Sequence, residues 1–273
     1  MSLERLSERL LDAAKKAGAD AADCLVVDGT STSIDVLNGS LEHAERSEGV
    51  DLGLRVFVGK SQACVSASDQ SADTISQMAA RAVAMAKEAP EDPFARLAHD
   101  AELFHGTDVA DALDLYDPNG EPDPKLLQDA ALAAEEAARA VGGVTNVQSA
   151  GAGYGQTSIH LATSNGFSNG YRRSQNSLSC VAIAGKDATM ERDYYGEGRI
   201  YFSDLGTAES IGTTAGTRAV ERLNPQKAPA GAFPVLFDER ISSSLIGHIL
   251  GATNGAAIAR GSSWLRDAKD TEI

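Results

Sequence analysis

The five histidines are the side chains best suited to hold a catalytic metal ion in this chain. A zinc-protease helix carries two histidines on one face with a glutamate beside the first, and zinc sites take at least three protein ligands. His248 stands alone between Gly247 and Ile249 on a helix predicted late in the sequence. The sequence therefore predicts no metal ligand and no catalytic residue here.

Two glycine-containing motifs are partial matches to phosphate-binding loops. The motif Gly59-Lys60-Ser61 ends like a P-loop, but Leu54 stands where that loop needs a glycine, and alternating residues follow instead of a helix. The run Gly151–Gly155 has Gln156 in the last place of the dinucleotide fingerprint. Both motifs are interpreted as strands or hairpin turns.

No serine or cysteine lies in a recognisable nucleophile elbow. The three cysteines, Cys24, Cys64 and Cys180, are scattered and form no C-x-x-C pair. This usage is typical of reduced core thiols in a cytoplasmic protein, and Cys64, on an alternating strand, is predicted to be a small buried residue.

Tyrosine and arginine cluster in two places in the second half of the chain. Such clusters are favoured at recognition surfaces, although the rings could equally cap a sheet. The candidates for binding a peptide or a partner are Tyr171, Arg172, Tyr194 and Tyr195.

Acidic residues outnumber basic ones by 39 to 24, which gives a net charge of −15. Direct binding to nucleic acid is disfavoured, because phosphate neutralisation supplies most of that affinity. Neither a signal peptide nor the roughly 18 apolar residues of a membrane span can be found. A cytoplasmic protein without membrane or nucleic-acid partners is predicted.

The elements needed to position these residues follow from periodicity. Residues 1–89 are predicted to form a helix that ends at Gly18, several antiparallel strands with an Asn38-Gly39 hairpin turn, and a helix that closes at Pro90. Residues 90–122 form an acidic linker that contains prolines.

A second unit over 123–225 repeats this order. Asp123-Pro124 caps its first helix, strands are expected at 144–151, 157–164 and 170–184, and a final helix ends before Asn224-Pro225. Residues 226–273, with a buried strand over Phe233–Phe237 and a following helix, are expected to begin an incomplete C-terminal domain. The fold class is α+β, with two helix-flanked antiparallel β units in tandem.

Several short motifs, in order along nearly the whole chain, resemble the TldD/PmbA family, known as modulators of DNA gyrase and as a two-subunit protease. They are Gly18–Asp23, Gly49–Gly59, Ser164–Gly166, Asp204-Leu205, Glu209–Gly212, Gly231–Asp238 and Gly261–Leu265. Each motif is weak alone, but together they are fairly specific.

The resemblance implies zinc-dependent processing of peptides or small proteins by a TldD subunit paired with a PmbA (TldE) partner. The helix corresponding to Ile241–Gly255 lacks the H-E-x-x-x-H of zinc-binding members, which resembles the PmbA branch. We therefore expect a non-metal-binding subunit of an oligomer, with zinc on a TldD-type partner, truncated before the C-terminal domain and not catalytic alone.

A homodimer is the alternative assembly. Two alternative functions also stay open from the sequence. One is a non-catalytic regulator that binds a protein such as DNA gyrase, and the other is a metalloenzyme with unrecognised ligands.

Overall fold

The computed structural model describes residues 2–104, 106 and 112–268. These residues form six α-helices. They are α1 (Leu3–Ala17), α2 (Ala72–Glu88), α3 (Pro124–Ala140), α4 (Ala208–Glu221), α5 (Glu239–Ala252) and α6 (Gly255–Ala259). Gly18 ends α1 with a φ of 96°, and the Asp123 side chain caps α3 by accepting from the Lys125 amide. Both predicted helix ends are confirmed.

Six strands form one antiparallel sheet in the order β3-β2-β1-β4-β5-β6. They are β1 (Ala21–Leu37), β2 (Ser40–Val58), β3 (Ser61–Ala67), β4 (Val144–Thr163), β5 (Ser168–Ala184) and β6 (Glu191–Arg199). The α+β class is confirmed. The turn between β1 and β2 has φ values of 55° at Asn38 and 73° at Gly39, which confirms the predicted hairpin.

The strands are longer than predicted. The break expected between the strands at 144–151 and 157–164 is absent, since β4 runs through its polar middle section, and β1 does the same. Each of these strands has a hydrogen-bonded neighbour on both sides, and those ladders hold the backbone extended where apolar alternation lapses. Strand β6 was not predicted.

The pairing of β1 with β4 joins residues from both predicted units into one sheet. The two strands run antiparallel from Asp23↔Thr163 to Val36↔Ala150. In each of the two predicted units, the chain forms a helix, three strands and a second helix, in that order.

Two apolar cores lie on one face of the sheet. Leu6 and Leu10 of α1 pack with Val26 in one core, while Leu127 of α3 packs with Val36 in the other. Val26 and Val36 are both even-numbered positions of β1, so the two helix pairs occupy the same face at opposite ends of the long strands. We call this the helix face, and the face of odd-numbered β1 residues, which includes Leu25, the open face.

The chain divides into two compact units, Met1–Pro225 and Gln226–Ile273. The second unit contains α5 and α6. The buried strand predicted over Phe233–Phe237 is wrong, because this segment is exposed and has no strand assignment. An extended segment becomes a strand only when another strand completes its ladder, and none does so among the described residues. Nor is any described helix long and apolar enough to cross a bilayer.

Candidate functional site

The four predicted binding residues are divided between the two faces of the sheet. Neighbouring strand residues point to opposite faces, so Tyr171 and Tyr194 lie on the open face, and Arg172 and Tyr195 lie on the helix face. Tyr171 is 42% exposed and Tyr194 is 50% exposed. Both rings are therefore partly exposed to solvent.

The two exposed tyrosines are far apart. Tyr194 pairs with Val181 on β5, ten residues along the strand from Tyr171. At about 3.3 Å per residue, this separation is roughly 33 Å. The structure therefore does not bring the predicted residues together into one small site, and their binding role stays a prediction.

Tyr195 is held by its own structural contacts. Its ring packs against the second core, and its hydroxyl donates to Glu197 Oε1 at 3.0 Å. The Arg218 guanidinium carbon lies 4.8 Å from the ring centroid. These contacts explain the position of Tyr195 through packing, in agreement with the alternative that the rings cap the sheet.

Arg172 belongs to a polar cluster at the middle of the helix face. Its guanidinium carbon lies 4.2 Å from the centre of the Tyr116 ring, a cation–π contact. The Tyr116 and Tyr154 hydroxyls both donate to Gln156 Oε1 at 3.2 Å. Tyr116 was missed from the sequence because it lies in the acidic linker, where no periodicity indicates a contact.

The linker contacts the outer edge of β5 at Ser174. Strand β6 pairs only with Asn176–Ala184, so Ser168–Gln175 has no third-strand neighbour. The Ser174 amide instead donates to the Leu115 carbonyl at 3.0 Å, and the Asp117 amide donates to Ser174 Oγ at 2.8 Å. Linker residues thus satisfy part of an edge that would otherwise be open to pairing.

The corresponding edge of β2 is open. Strand β3 pairs only with Leu52–Val58, so Ser40–Asp51 has no neighbour on its outer side among the described residues. Residues 40–49 are all exposed. An unpaired strand edge is a template for another extended chain.

The metal-binding motif of the family cannot be placed on α5. If His248 were the second histidine of H-E-x-x-x-H, Ser243 and Ser244 would occupy the histidine and glutamate positions. If it were the first, Ile249 and Thr253 would occupy them. Within the described ranges, no group of three or more His, Cys, Asp or Glu side chains could hold a metal ion, and these residues do not fit a zinc site.

His160 differs from His248 in having two side-chain hydrogen bonds. Its Nδ1 lies 2.8 Å from Ser7 Oγ, and its Nε2 lies 3.2 Å from Ser168 Oγ. Burial lowers the pKa of this imidazole below its usual value. Because both ring nitrogens already have hydrogen-bond partners, His160 fastens α1 to the sheet.

The remaining motifs have structural roles. Residues 59–61 lie at the turn between β2 and β3, where Gly59 has a φ of 60°, and Gly151–Gly155 lies within β4. Burial raises the pKa of the Cys24 and Cys180 thiols to about 11. The prediction of a buried Cys64 is wrong, since Cys64 is exposed on the edge strand β3.

Comparison with known families and proteins identifies relatives over most of the sequence. Residues 22–86 match PmbA/TldA metallopeptidase domain 1, and residues 117–223 match the PmbA/TldA metallopeptidase central domain. The chain is 32% identical to Metalloprotease PmbA of Escherichia coli O157:H7 over 261 residues, which cover 93% of this chain and 56% of that protein. It is 29% identical to a Metalloprotease PmbA homolog of Haemophilus influenzae, with 94% and 56% covered.

The chain thus spans about half the length of the curated relatives it matches. A crystal structure of a proposed modulator of DNA gyrase from Bacteroides thetaiotaomicron matches with a TM-score of 0.84 and 23% identity, covering 99% of this chain and 61% of that one. TldE from Thermococcus kodakarensis matches with a TM-score of 0.64 and 16% identity, covering 79% and 47%. These two likenesses show the fold. The family-model matches over residues 22–86 and 117–223, together with the sequence relatives, establish that the chain belongs to the PmbA/TldD family.

Proposed function

We propose that this chain is part of a non-metal-binding subunit in a TldD/TldE-type zinc metalloprotease complex that processes peptides or small proteins. The observation that carries the proposal is the composition of α5, where His248 has no second histidine or glutamate at the spacing of the family motif. In this proposal the zinc belongs to a TldD-type partner. The membership of the PmbA/TldD family supports the protease-related role.

The contribution of this chain would be to orient the substrate. An extended peptide that pairs with a strand edge loses conformational freedom before it reaches the reacting group, and this lowers the entropic cost of the later step. A six-stranded sheet backed by four helices is a rigid support for such an edge. The chain supplies no nucleophile or base to the reaction in this proposal.

The direct test is co-purification of this chain, and of a longer form with the length of the curated relatives, with a TldD-type subunit. Zinc content and peptide cleavage are then measured for each mixture. We expect cleavage only when the partner is present, and one zinc per partner subunit. The matched control is a partner in which glutamine replaces the glutamate of its H-E-x-x-x-H motif, which should retain association and lose cleavage.

The result that would overturn the proposal is one zinc per chain, together with peptide cleavage, in the absence of the partner. In that case His248→Ala should remove both zinc and cleavage. Association with DNA gyrase, without cleavage in any mixture, would instead support the alternative of a non-catalytic regulator. The net charge of −15 favours a protein contact over a DNA contact in that alternative.

A further inference from the structure

We infer that the outer edge of β2, Ser40–Asp51, is a docking site for a basic, extended peptide that adds to the sheet as another strand. The inference rests on the proposed function, because it takes this peptide to be the substrate that the complex processes. It assigns a location and a charge preference that the family relationship does not supply.

The backbone of this edge is available for pairing. Antiparallel strands point the N–H and C=O groups of alternate residues outward, and β1 occupies only the inner side of β2. The segment is about 40 Å long at 3.3 Å per residue. An added strand of eight residues would therefore find enough backbone partners within Ser40–Asp51.

The matching edge of β5 shows what such an edge can accept. In both places the second strand of a unit extends beyond its third strand, and on β5 the linker meets the exposed edge at Ser174. The β5 edge, Ser168–Gln175, contains Arg172 and Arg173 and no acidic residue. The linker stretch Leu113–Asp123 that meets it contains four acidic residues and no basic one. The stretch contacts this edge through the Leu115–Ser174 backbone hydrogen bond and the stacking of Arg172 on Tyr116, and its Glu121 pairs with Arg46 of β2.

The β2 edge has the opposite charge. Glu42, Glu45, Glu48 and Asp51 are its acidic residues, and its single arginine, Arg46, is engaged by Glu48 and by Glu121 at 2.9 Å. The segment has a net charge of −3 with histidine neutral, since four acidic residues stand against one basic residue. Opposite charges across neighbouring strands are favourable, and like charges are unfavourable. The complementary occupant is a peptide rich in lysine or arginine.

A second copy of this chain is a poorer occupant for the same reason. Two β2 edges would bring two acidic segments side by side, and the repulsion between them would oppose pairing. The charged residues on the edge therefore discourage self-association and permit a basic partner.

The test uses the 273-residue chain and a fluorescent, end-capped peptide of four Lys-Val repeats. We expect saturable binding by fluorescence anisotropy, weakened by added salt, with hydrogen-exchange protection at residues 40–51. A peptide of four Glu-Val repeats should not bind. A peptide of four Lys-Pro repeats should also fail, because it retains the charge but lacks half of the backbone donors.

The matched chain variants separate local from global charge. The triple variant Glu42→Lys/Glu45→Lys/Glu48→Lys should weaken binding at least tenfold while circular dichroism stays unchanged. The control variant Glu88→Lys/Glu91→Lys/Glu221→Lys makes the same change in net charge at other exposed positions, and its affinity should stay within twofold of the parent chain.

Equal loss in both triple variants, or protection elsewhere than 40–51, would overturn the inference. Protection of this edge by a TldD-type subunit alone, or by raised concentration of the chain alone, would also overturn it, since the occupant would be another subunit. These readouts use no cleavage step. A failed peptide-binding test can therefore be distinguished from a failure of the proposed function, which is judged by association, zinc and cleavage.

Discussion

The two halves of the sheet have the same order of elements but pack their helices differently. In residues 2–89, α1 and α2 reach the strands through large side chains such as Leu6, Leu10 and Met78. In residues 123–225, α3 and α4 meet through small residues, and a Cβ added to Gly212 would lie only 2.0 Å from the Ala134 carbonyl oxygen. Both halves bury large side chains, Leu127 and Ile211 in the second half among them, and the second half adds a close backbone approach between α3 and α4.

The halves also differ at their outer edges. The linker contacts β5 at Ser174, whereas the first part of β2 has no described neighbour on its outer side. This difference supports the proposal that β2 receives an external peptide.

Removing a large buried side chain should have the largest effect on stability. Leu10 is fully buried, and Leu10→Ala leaves a cavity that α1 cannot close without moving. We expect a loss of about 2–5 kcal/mol in the free energy of unfolding, measured by urea denaturation. The matched control is Leu126→Ala at a position that is 46% exposed, where the loss should be much smaller. Equal losses in the two variants would contradict the place of Leu10 in the core.

Adding volume should have the corresponding effect in the second half. Gly212→Ala places a methyl group against the Ala134 backbone, so α3 and α4 must separate. We expect a net loss of about 2 kcal/mol, because overpacking outweighs the gain of roughly 1 kcal/mol from alanine in a helix. Thr213→Ala, at the exposed neighbouring position, is the control and should be nearly neutral. Stabilisation by Gly212→Ala would show that the helices have room.

A carboxylate on α3 fixes the hairpin of the first half. Glu135 is 2% exposed and accepts hydrogen bonds from the Asn38 amide at 2.7 Å and the Gly39 amide at 2.9 Å. It also pairs with Arg139. We expect Glu135→Gln to cost about 1.5 kcal/mol, since the bonds to a charged acceptor are lost. Chemical denaturation at neutral pH measures this cost.

The same carboxylate gives a predicted pH dependence. Burial acts to raise the pKa of Glu135, but hydrogen bonds from Arg139 and the two turn amides lower it below the ordinary 4.5. Its contribution is therefore complete above about 4.5 and is lost as the pH falls through the lower folded pKa. The parent chain should lose more stability than Glu135→Gln between pH 5 and about 2. Parallel curves for the two proteins would contradict this assignment.

The smallest expected effects separate the two neighbouring tyrosines of β6. Tyr195→Ala removes core packing and the contacts with Glu197 and Arg218, so it should cost about 1 kcal/mol in stability. Tyr194→Ala should change stability by less than about 0.5 kcal/mol, and it should weaken peptide or partner binding if the predicted role is correct. Thermal unfolding and binding assays on both variants give the comparison. A large stability loss in Tyr194→Ala would show that its exposed ring is structural.

Local chemistry explains which parts of the fold could be predicted. Gly18 ends α1, Asn38-Gly39 forms the hairpin turn and Asp123-Pro124 starts α3, because each signal acts within a few residues. The prediction of a strand over Phe233–Phe237 was wrong because an apolar run does not indicate whether a second strand is present to pair with it.

For the candidate site, the sequence predicted the residue types but not their positions in the structure. The residue types of Tyr171, Arg172, Tyr194 and Tyr195 indicated a binding surface, but the pleat places them on two faces and the sheet places the exposed pair far apart. The contact between Arg172 and Tyr116 joins residues 56 positions apart in the sequence. No spacing rule reaches that far.

The sequence by itself determined the five longer helices, the first hairpin turn, the acidic charge and the motifs of the PmbA/TldD family. These properties depend on each residue and its near neighbours, or on counts that folding does not change. Only the tertiary structure decided that β1 pairs with β4, that the linker contacts β5 and that the outer edge of β2 has no neighbour among the described residues. Strand partners and edges are set by contacts between distant segments, so they exist only once the whole sheet has formed.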